Sequence, residues 1–431
     1  MEIFVSAGEA SSDIHCARLV RELKERLRSN SGVESRFFGL GGDHLAREGA
    51  ELLMHNREFS VMGGPLEVIG RLPKRRKLEK LLEERLFRRK PGGAILVDNG
   101  EINLRLASLL HFFGVPVVYF IPPKVWVWRH RRIEQIARHV NLVLSILPFE
   151  EPMYRDWEVP FRYVGNPLID EVPLDLSADQ ARRELGLDGA DPVITVFPGS
   201  RHSEIRHHVE LFSESLKRFF QALQNASPGE RCPQVLVPVA PALDADALKQ
   251  AFASRLPAVS LHFLAEERRK ISVSHLCLKA ARAAIVKSGT STLEAAVLGT
   301  PMVLTYKSSR TSQWLFKHVT GYRGFIGMAN LFLVQPPEAA LGWLKPCEKR
   351  PEPPVPELIL EKGTPEIIAR EFLKIYQDGP ERASMLSALA RARAMLSPPE
   401  GAGISPIRCA AAAAYGVFTS KSGDSRKERL A

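Results

Sequence analysis

What the chain lacks narrows it first. Its 431 residues hold five cysteines, Cys16, Cys232, Cys277, Cys347 and Cys409, scattered and without a C-x-x-C pair. That spacing excludes a disulfide framework and a thiolate zinc site, and it reads as reduced structural thiols. The histidines include His207 and His208 but no H-x-x-x-H beside a carboxylate, so no metal and no cofactor are expected. No apolar run approaches the roughly 18 residues of a membrane-spanning helix. The start, MEIFVSAGEA, enters a strand at once and has no basic stretch with a cleavage site. It does not read as a signal peptide, and a cytosolic protein is expected. No nucleic-acid-binding module is recognisable, and nucleic acid is not expected as a partner.

What is present is an ordinary globular composition, 45% hydrophobic and 25% charged, with a formal net charge of +10. The length suggests two or three domains. The basic residues crowd between Arg71 and Lys90 and between Arg129 and Arg132. Such an excess suits anionic lipid or a phosphorylated substrate.

Short apolar strands alternate with amphipathic helices. Strands are expected at Ile3–Ser6, Arg36–Leu40, Ala94–Val97, Val117–Ile121, Leu142–Ile146 and Arg162–Val164, then at Val193–Phe197, Gln234–Pro238, Val259–Phe263, Ala283–Val286 and Met302–Tyr306. This is the signature of parallel sheets covered on both faces. It implies an α/β fold of two Rossmann-like, doubly wound domains facing a central cleft, residues 1–175 and 176–335. Residues 336–418 read as a proline-rich insertion followed by helices, and 419–431 as a disordered tail.

Four strand-to-helix loops carry the chemistry. In AAIVKSGTSTLEAAVLGTPMVLTY, Ser288, Thr290, Ser291 and Thr292 surround Gly289 where a helix start aims its free N–H groups. That suits a phosphate or diphosphate. Glu294, expected in the first helical turn, can accept both hydroxyls of a ribose. The alternative is a capping box of Ser291 with Glu294. In FPGSR, Gly199 and Ser200 shape a turn and Arg201 can hold a diphosphate through two parallel bonds; the alternative is a surface ion pair with Glu204. In VDNGEIN, Asp98 ends a buried strand, where desolvation raises its pKa and suits a general base; the alternative is an N-cap. In AGEASSD, Gly8 lets the backbone turn closely, with Glu9, Ser11, Ser12 and Asp13 as polar groups of the loop, or else as a helix cap.

Two further segments are basic. Trp126, Trp128 and Arg129 lie in PPKVWVWRHRRIEQI, where aromatics beside cations suit sugars or phosphates, or else supply one core tryptophan and a solvated helix. Leu66, Val68, Ile69 and Leu72 precede Lys74, Arg75 and Arg76, a pattern that fits an anionic membrane surface or a core-facing helix.

In family order these motifs resemble the lipid-A-disaccharide synthases over Ile3 to about Leu331. AGEASSD is similar to AGE-x-SGD, VMGGPLEVIGRLP to VMG-x-x-EV-x-x-x-LP, DNGEIN to D-x-PDFN and PKVWVWR to PSVWAWR. PFE, VGNPL, PGSR and SGTSTLEAAVLGTPMV complete the series. The resemblance implies a GT-B inverting glycosyltransferase joining UDP-2,3-diacylglucosamine to 2,3-diacylglucosamine 1-phosphate. It implies Asp98 as the essential carboxylate, Arg201 on the UDP side, and UDP binding by Ser288 to Glu294 and by Asn330. It also implies a membrane-docked homodimer with a swapped C-terminal region. Ser12, Gly100, Glu101, Pro122, Lys124, Asn166 and Ala329 depart from the family pattern, and no AGR follows Leu331. Rival readings are another UDP-sugar enzyme of this fold, or a non-catalytic relative.

Overall fold

The computed structural model describes residues 1–58, 65–127, 130–187, 189, 191–266, 269–307, 324–335, 340–341, 351–401 and 403–420, with backbone alone for 65–72. The chain forms two compact units: Met1–Pro167 together with Leu396–Ala431, and Leu168–Met395.

The first unit is a parallel sheet of β1 Glu2–Ala7, β2 Arg36–Gly41, β3 Glu51–His55, β4 Gly93–Val97, β5 Val117–Phe120, β6 Leu142–Ser145 and β7 Phe161–Tyr163, ordered β3-β2-β1-β4-β5-β6-β7. Its helices are α1 Ala10–Ser31, α2 Asp43–Arg47, α3 Pro65–Arg88, α4 Gly100–Phe112, α5 Arg132–His139 and α6 Glu151–Asp156. The inner strands β1, β4 and β5 are apolar on both faces because both faces are covered. One layer of core gathers Phe4, Phe38, Leu96, Leu104 and Tyr119; the other gathers Ile3, Val5, Leu19, Leu23 and Val118.

The second unit holds β8 Val193–Phe197, β9 Gln234–Val239, β10 Leu261–Ala265, β11 Ala283–Lys287, β12 Met302–Tyr306 and β13 Glu357–Ile359, ordered β10-β9-β8-β11-β12-β13. Its helices are α7 Leu168–Glu171, α8 Ala178–Glu184, α9 His202–Ala226, α10 Ala245–Ala253, α11 Val273–Ala280, α12 Thr290–Leu298, α13 Met328–Leu333, α14 Pro365–Tyr376 and α15 Pro380–Met395. Phe219 of α9 stacks edge-on against Phe372 and Tyr376 of α14, with ring centroids 4.8 and 5.2 Å away.

The last helix, α16 Pro406–Thr419, belongs to the first unit. Its Ile407, Ala410 and Ala414 complete the core layer around α1, and Tyr415 Oη lies 2.6 Å from Ser31 Oγ. Phe418 packs so closely over Gly93 that a Cβ there would come within 2.3 Å of its ring.

The unit boundaries differ from the expected 175/176 and 336–418. Leu168–Asp175 goes with the second unit, and the C-terminal helices divide between the two, α14 and α15 with the second and α16 with the first. Two strands went unseen in the sequence. β3, ELLMH, is an edge strand only partly buried, and β13 has three residues behind a proline-rich stretch.

Candidate functional site

In a doubly wound sheet, ligands gather where the strand order reverses. Here the reversals lie between β1 and β4 and between β8 and β11. All four loops singled out above follow those four strands. Register brings them together in pairs: Ala7 pairs with Val97, so Gly8 stands beside Asp98, and Val286 pairs with Phe197, so Lys287 stands beside Pro198.

In the first unit, Asp98 and Asn99 both have left-handed backbone angles, φ 52° and 40°. Buried side chains hold this turn. Asn103 Nδ2 donates to the carbonyls of Val97 and Asp98 at 3.0 and 2.8 Å, and Tyr119 Oη donates to Asp98 O at 2.8 Å. Ser6 Oγ fixes Asn103 in turn, at 2.6 Å. Burial raises the Asp98 pKa above the ordinary carboxylate range, opposed by the Asn99 N–H and by the charges of Lys124 and His15. Asn99, not Asp98, is the N-cap of α4: its Oδ1 accepts from Ile102 N at 3.4 Å. The N-cap alternative for Asp98 is therefore corrected. A Cβ on Gly8 would sit 2.5 Å from Asn99 Nδ2, so any larger residue there displaces the Asn99 side chain.

Several expectations near this loop change. Helix α1 begins at Ala10, so Glu9 is its N-cap and Ser11 lies in its first turn. Glu9 N–H donates to Ser12 Oγ at 3.0 Å, and Ser12 Oγ donates to Glu9 O at 2.8 Å, which starts the helix early. Asp13 is buried and accepts from Gly42 N and His44 N at 2.6 and 3.0 Å, fixing the start of α2. Trp126 is a core residue, 3% exposed, whose Nε1 donates to Glu150 Oε1 at 2.8 Å. Its place among the acceptor residues is corrected for that reason. Trp128 and Arg129 lie outside the described residues. Glu150, also buried, accepts from Ser145 Oγ at 2.6 Å; burial pushes its carboxyl up to about 7 against those two bonds and Lys124.

The basic segment divides. Lys74 Nζ donates to Glu58 O at 2.7 Å, Arg75 turns inward with its Nε 3.4 Å from Glu79 Oε1, and Arg76 is exposed. Arg75 is thus corrected from membrane contact to an inward ion pair. The side chains of Leu66, Val68, Ile69 and Leu72 lie outside the described residues.

In the second unit, Glu204 organises the two loops. It accepts from Ser200 N at 3.0 Å and from Lys287 Nζ at 2.8 Å, tying the β8–α9 turn to the end of β11. Burial works against its charge, but Lys287, the Ser200 N–H and Arg201 hold its pKa below the usual range. Gly199 has φ 126°, and a Cβ would meet Glu204 Oε2 at 2.7 Å. Arg201 is 74% exposed and 3.8 Å from Glu204, a loose surface pair with a free fork of donors. His208 is buried and neutral, its pKa pushed down to about 4 by burial; Nδ1 donates to Glu204 O at 2.8 Å and Nε2 accepts from Lys307 N at 3.0 Å.

Helix α12 starts at Thr290 with Gly289 as N-cap and no side-chain cap. The alternative, a Ser291–Glu294 capping box, is absent, because Glu294 is the fifth helical residue and too far along to reach back. The Thr292 hydroxyl instead donates to Gly289 O at 2.7 Å. Ser288, Gly289, Thr290 and Ser291 remain at least partly accessible around the helix start. Glu294 lies 3.8 Å from His275, and burial with nearby Glu171 raises its carboxyl to about 7.

Asn330 is corrected from ligand contact to structural link. It is fully buried, its Nδ2 donates to Val355 O and Glu357 Oε2 at 2.9 and 3.1 Å, and its Oδ1 accepts from Val355 N at 3.0 Å. Among the described residues no group of three His, Cys, Asp or Glu could hold a metal. No described helix is long and apolar enough to cross a membrane. Sequence reasoning missed Tyr119 as the second anchor of Asp98, Glu204 as organiser of the loops, and Glu150. Asn103 stood inside the quoted VDNGEIN, but nothing in its spacing announced the bond to Asp98.

The model of the lipid-A-disaccharide synthetase family matches residues 3–337. The lipid-A-disaccharide synthase of Myxococcus xanthus is 38% identical over 394 residues, 91% of this chain and 93% of that protein. Among solved structures, a putative UDP-N-acetylglucosamine 2-epimerase from Listeria monocytogenes is similar with a TM-score of 0.56 and 12% identity, over 94% of this chain and 93% of that one. Acinetobacter baumannii MurG is similar with a TM-score of 0.51 and 11% identity, over 91% of this chain and 94% of that one. These structures speak to the fold alone, the two-sheet GT-B architecture. The motifs, the family match and the identity over nine-tenths of its length agree: the chain belongs to the lipid-A-disaccharide synthetase family.

Proposed function

We propose that this chain transfers diacylglucosamine from its UDP donor to the 6-hydroxyl of 2,3-diacylglucosamine 1-phosphate, with inversion and release of UDP. The observation that carries the reading is Asp98: a carboxylate at a sheet reversal, desolvated, with its backbone locked by Asn103 and Tyr119. As the 6-oxygen bonds to the anomeric carbon, its proton passes to Asp98 and the bond to the diphosphate breaks. The charge on departing UDP falls to Arg201 and to the start of α12, where Ser288, Gly289, Thr290 and Ser291 offer hydroxyls and N–H groups. Glu294 takes the ribose hydroxyls. No divalent metal takes part in this scheme, since those groups supply the positive charge.

The substrates carry acyl chains, so the reading includes an anionic membrane surface as partner, on the inner face of the inner membrane. The exposed Arg76, Lys77 and Lys80 of α3 and the exposed Phe87 and Phe112 support it. It also includes a homodimer, measurable by light scattering.

The test is UDP release from the purified protein with the acylated pair, in excess EDTA, with the product weighed by mass spectrometry. Asp98→Asn is expected to lose about 10²–10⁴-fold in turnover while still binding UDP. Wild-type rates in that variant would remove Asp98 from the mechanism.

A further inference from the structure

A cavity of about 500 Å³ opens in the first unit between α3, α4 and α5. Three arginines line it, Arg75 from α3, Arg105 from α4 and Arg132 from α5, with Gln135 and His139 beside them. Its one lining carboxylate among the described residues, Glu101, pairs with Arg132 and is 56% exposed, so it can swing into solvent. Glu79 stands behind Arg75, yet Arg75 Nε and Glu79 Oε1 are buried without a hydrogen bond among the described residues. His139 is held neutral by burial and by His111. The lining therefore carries more positive than negative charge, and two of the arginines are mostly buried, at 18% and 17% exposure.

The cavity reaches the β4–α4 turn. Gly100 forms part of its wall, two residues past Asp98. Arg132 Nη1 lies 3.1 Å from where a Gly100 Cβ would stand, so the guanidinium passes directly over the start of α4. Its charge is felt at Tyr119, whose hydroxyl bonds the Asp98 carbonyl.

We propose that this cavity receives the anomeric phosphate of the acceptor, an inference that rests on the transferase reading above. In a glucosamine 1-phosphate the 6-hydroxymethyl and the anomeric phosphate hang from the two carbons that flank the ring oxygen. With the 6-hydroxyl at Asp98, the phosphate must lie within one sugar ring of that carboxylate. Lys124 and His15 are the charges felt at Asp98 itself; Arg132, over Gly100 two residues on, is the cation that the cavity offers beside that turn, with Arg75 and Arg105 also in its lining. Guanidinium forks match phosphate oxygens in parallel pairs. The phosphate takes Arg132 from Glu101, which turns outward, and Arg75, whose ion pair with Glu79 makes no hydrogen bond, adds a second guanidinium. The subsite thereby selects a phosphorylated acceptor over a bare sugar.

The experiment compares kcat/KM for the diacylglucosamine acceptor with and without its 1-phosphate, in the wild type, Arg132→Gln and Arg105→Gln. The wild type is expected to prefer the phosphorylated acceptor by at least about tenfold, close to 1.4 kcal/mol. In each variant that ratio falls toward one through acceptor KM, with the KM for UDP-sugar unmoved. Arg105 is exposed, so its variant folds even where Arg132→Gln does not. A ratio unchanged in both folded variants overturns the subsite. So does loss of anionic-vesicle binding in the variants with the ratio intact, which assigns the cavity to lipid headgroups. Calorimetry with soluble glucosamine 1-phosphate separates this inference from the reaction. Binding to the wild type but not to Arg132→Gln, with no UDP release from any acylated pair, keeps the phosphate subsite and discards the transferase.

Discussion

Two adjacent non-glycine residues with positive φ, Asp98 and Asn99, cost about 1–2 kcal/mol each. The side chains of Asn103 and Tyr119 hold them there, and the turn aims a carboxylate out of the sheet end. The position of Asp98 was legible in the sequence because a carboxylate closing an apolar strand is visible there. The turn's conformation and Tyr119 were not, because Tyr119 is distant in sequence and its role appears only once β4 and β5 pair. Glu150 is a second buried carboxyl, raised to about 7 from an ordinary 4.5. Its folded pKa exceeds its unfolded one, so the folded state keeps a proton that the unfolded state has released. The resulting stabilisation is complete below about pH 4.5 and is lost as pH rises toward about 7. Glu150→Gln has no proton to release. Its melting temperature relative to wild type is expected to climb from pH 5 to pH 8, followed by thermal melts across that range. A wild type that gains on the variant as pH rises would mean that Glu150 is held as the anion.

At the scale of elements, α3 shows how one helix serves two surfaces. Leu78, Leu82 and Leu86 face the core, while Arg76, Lys77 and Lys80 face solvent. At its end Phe87 is 73% exposed and stacks on Phe113, ring centroids 5.0 Å apart, next to Phe112 at 82%. Phe87→Ser with Phe112→Ser is expected to weaken co-sedimentation with anionic vesicles and leave the melting temperature nearly unchanged. Leu82→Ser, by contrast, lowers the melting temperature by several degrees. A wild-type protein that never sediments with vesicles rejects the membrane face. Helix α13 makes the opposite case. Asn330 read as a ligand residue by resemblance, yet its amide is taken up by Val355 and Glu357. Those partners follow a proline-rich stretch with no periodicity to place it against α13. Asn330→Ala strands the Val355 N–H and C=O, at about 1–3 kcal/mol for each orphaned group. A lower melting temperature with UDP affinity retained in the folded fraction is expected. Lost affinity with an unchanged melt would return Asn330 to the nucleotide.

For the whole molecule, the alternation of strands and helices predicted two doubly wound sheets, and two form. The path of the chain between them was not readable, because nothing in the sequences of α14, α15 and α16 marks which sheet each covers. Their destinations depend on which core has a bare face. Helix α16 covers the layer of Ile3, Val5, Leu19 and Leu23, and its Arg408 pairs with Glu22 at 3.3 Å. Cutting the chain before Pro406 uncovers that layer. Such a truncation is expected to lose cooperative melting of the first unit and to bind a hydrophobic dye, whereas a cut after Ser420 leaves both measurements unchanged. A clean, unshifted melt without α16 would show that the helix is dispensable.

The return of α16 also bears on how the protein is born. In chain order the two parts of the first unit flank the second: Met1–Pro167 precedes Leu168–Met395, and α16 follows it. Between those two parts the whole segment Leu168–Met395 must be synthesised, roughly 10–50 s at bacterial elongation rates. Throughout that time the α1 face waits uncovered and open to chaperones, while the second unit can already fold. Only a chain read through α16 closes the unit that carries Asp98, so a product terminated before Pro406 leaves the core of that unit open.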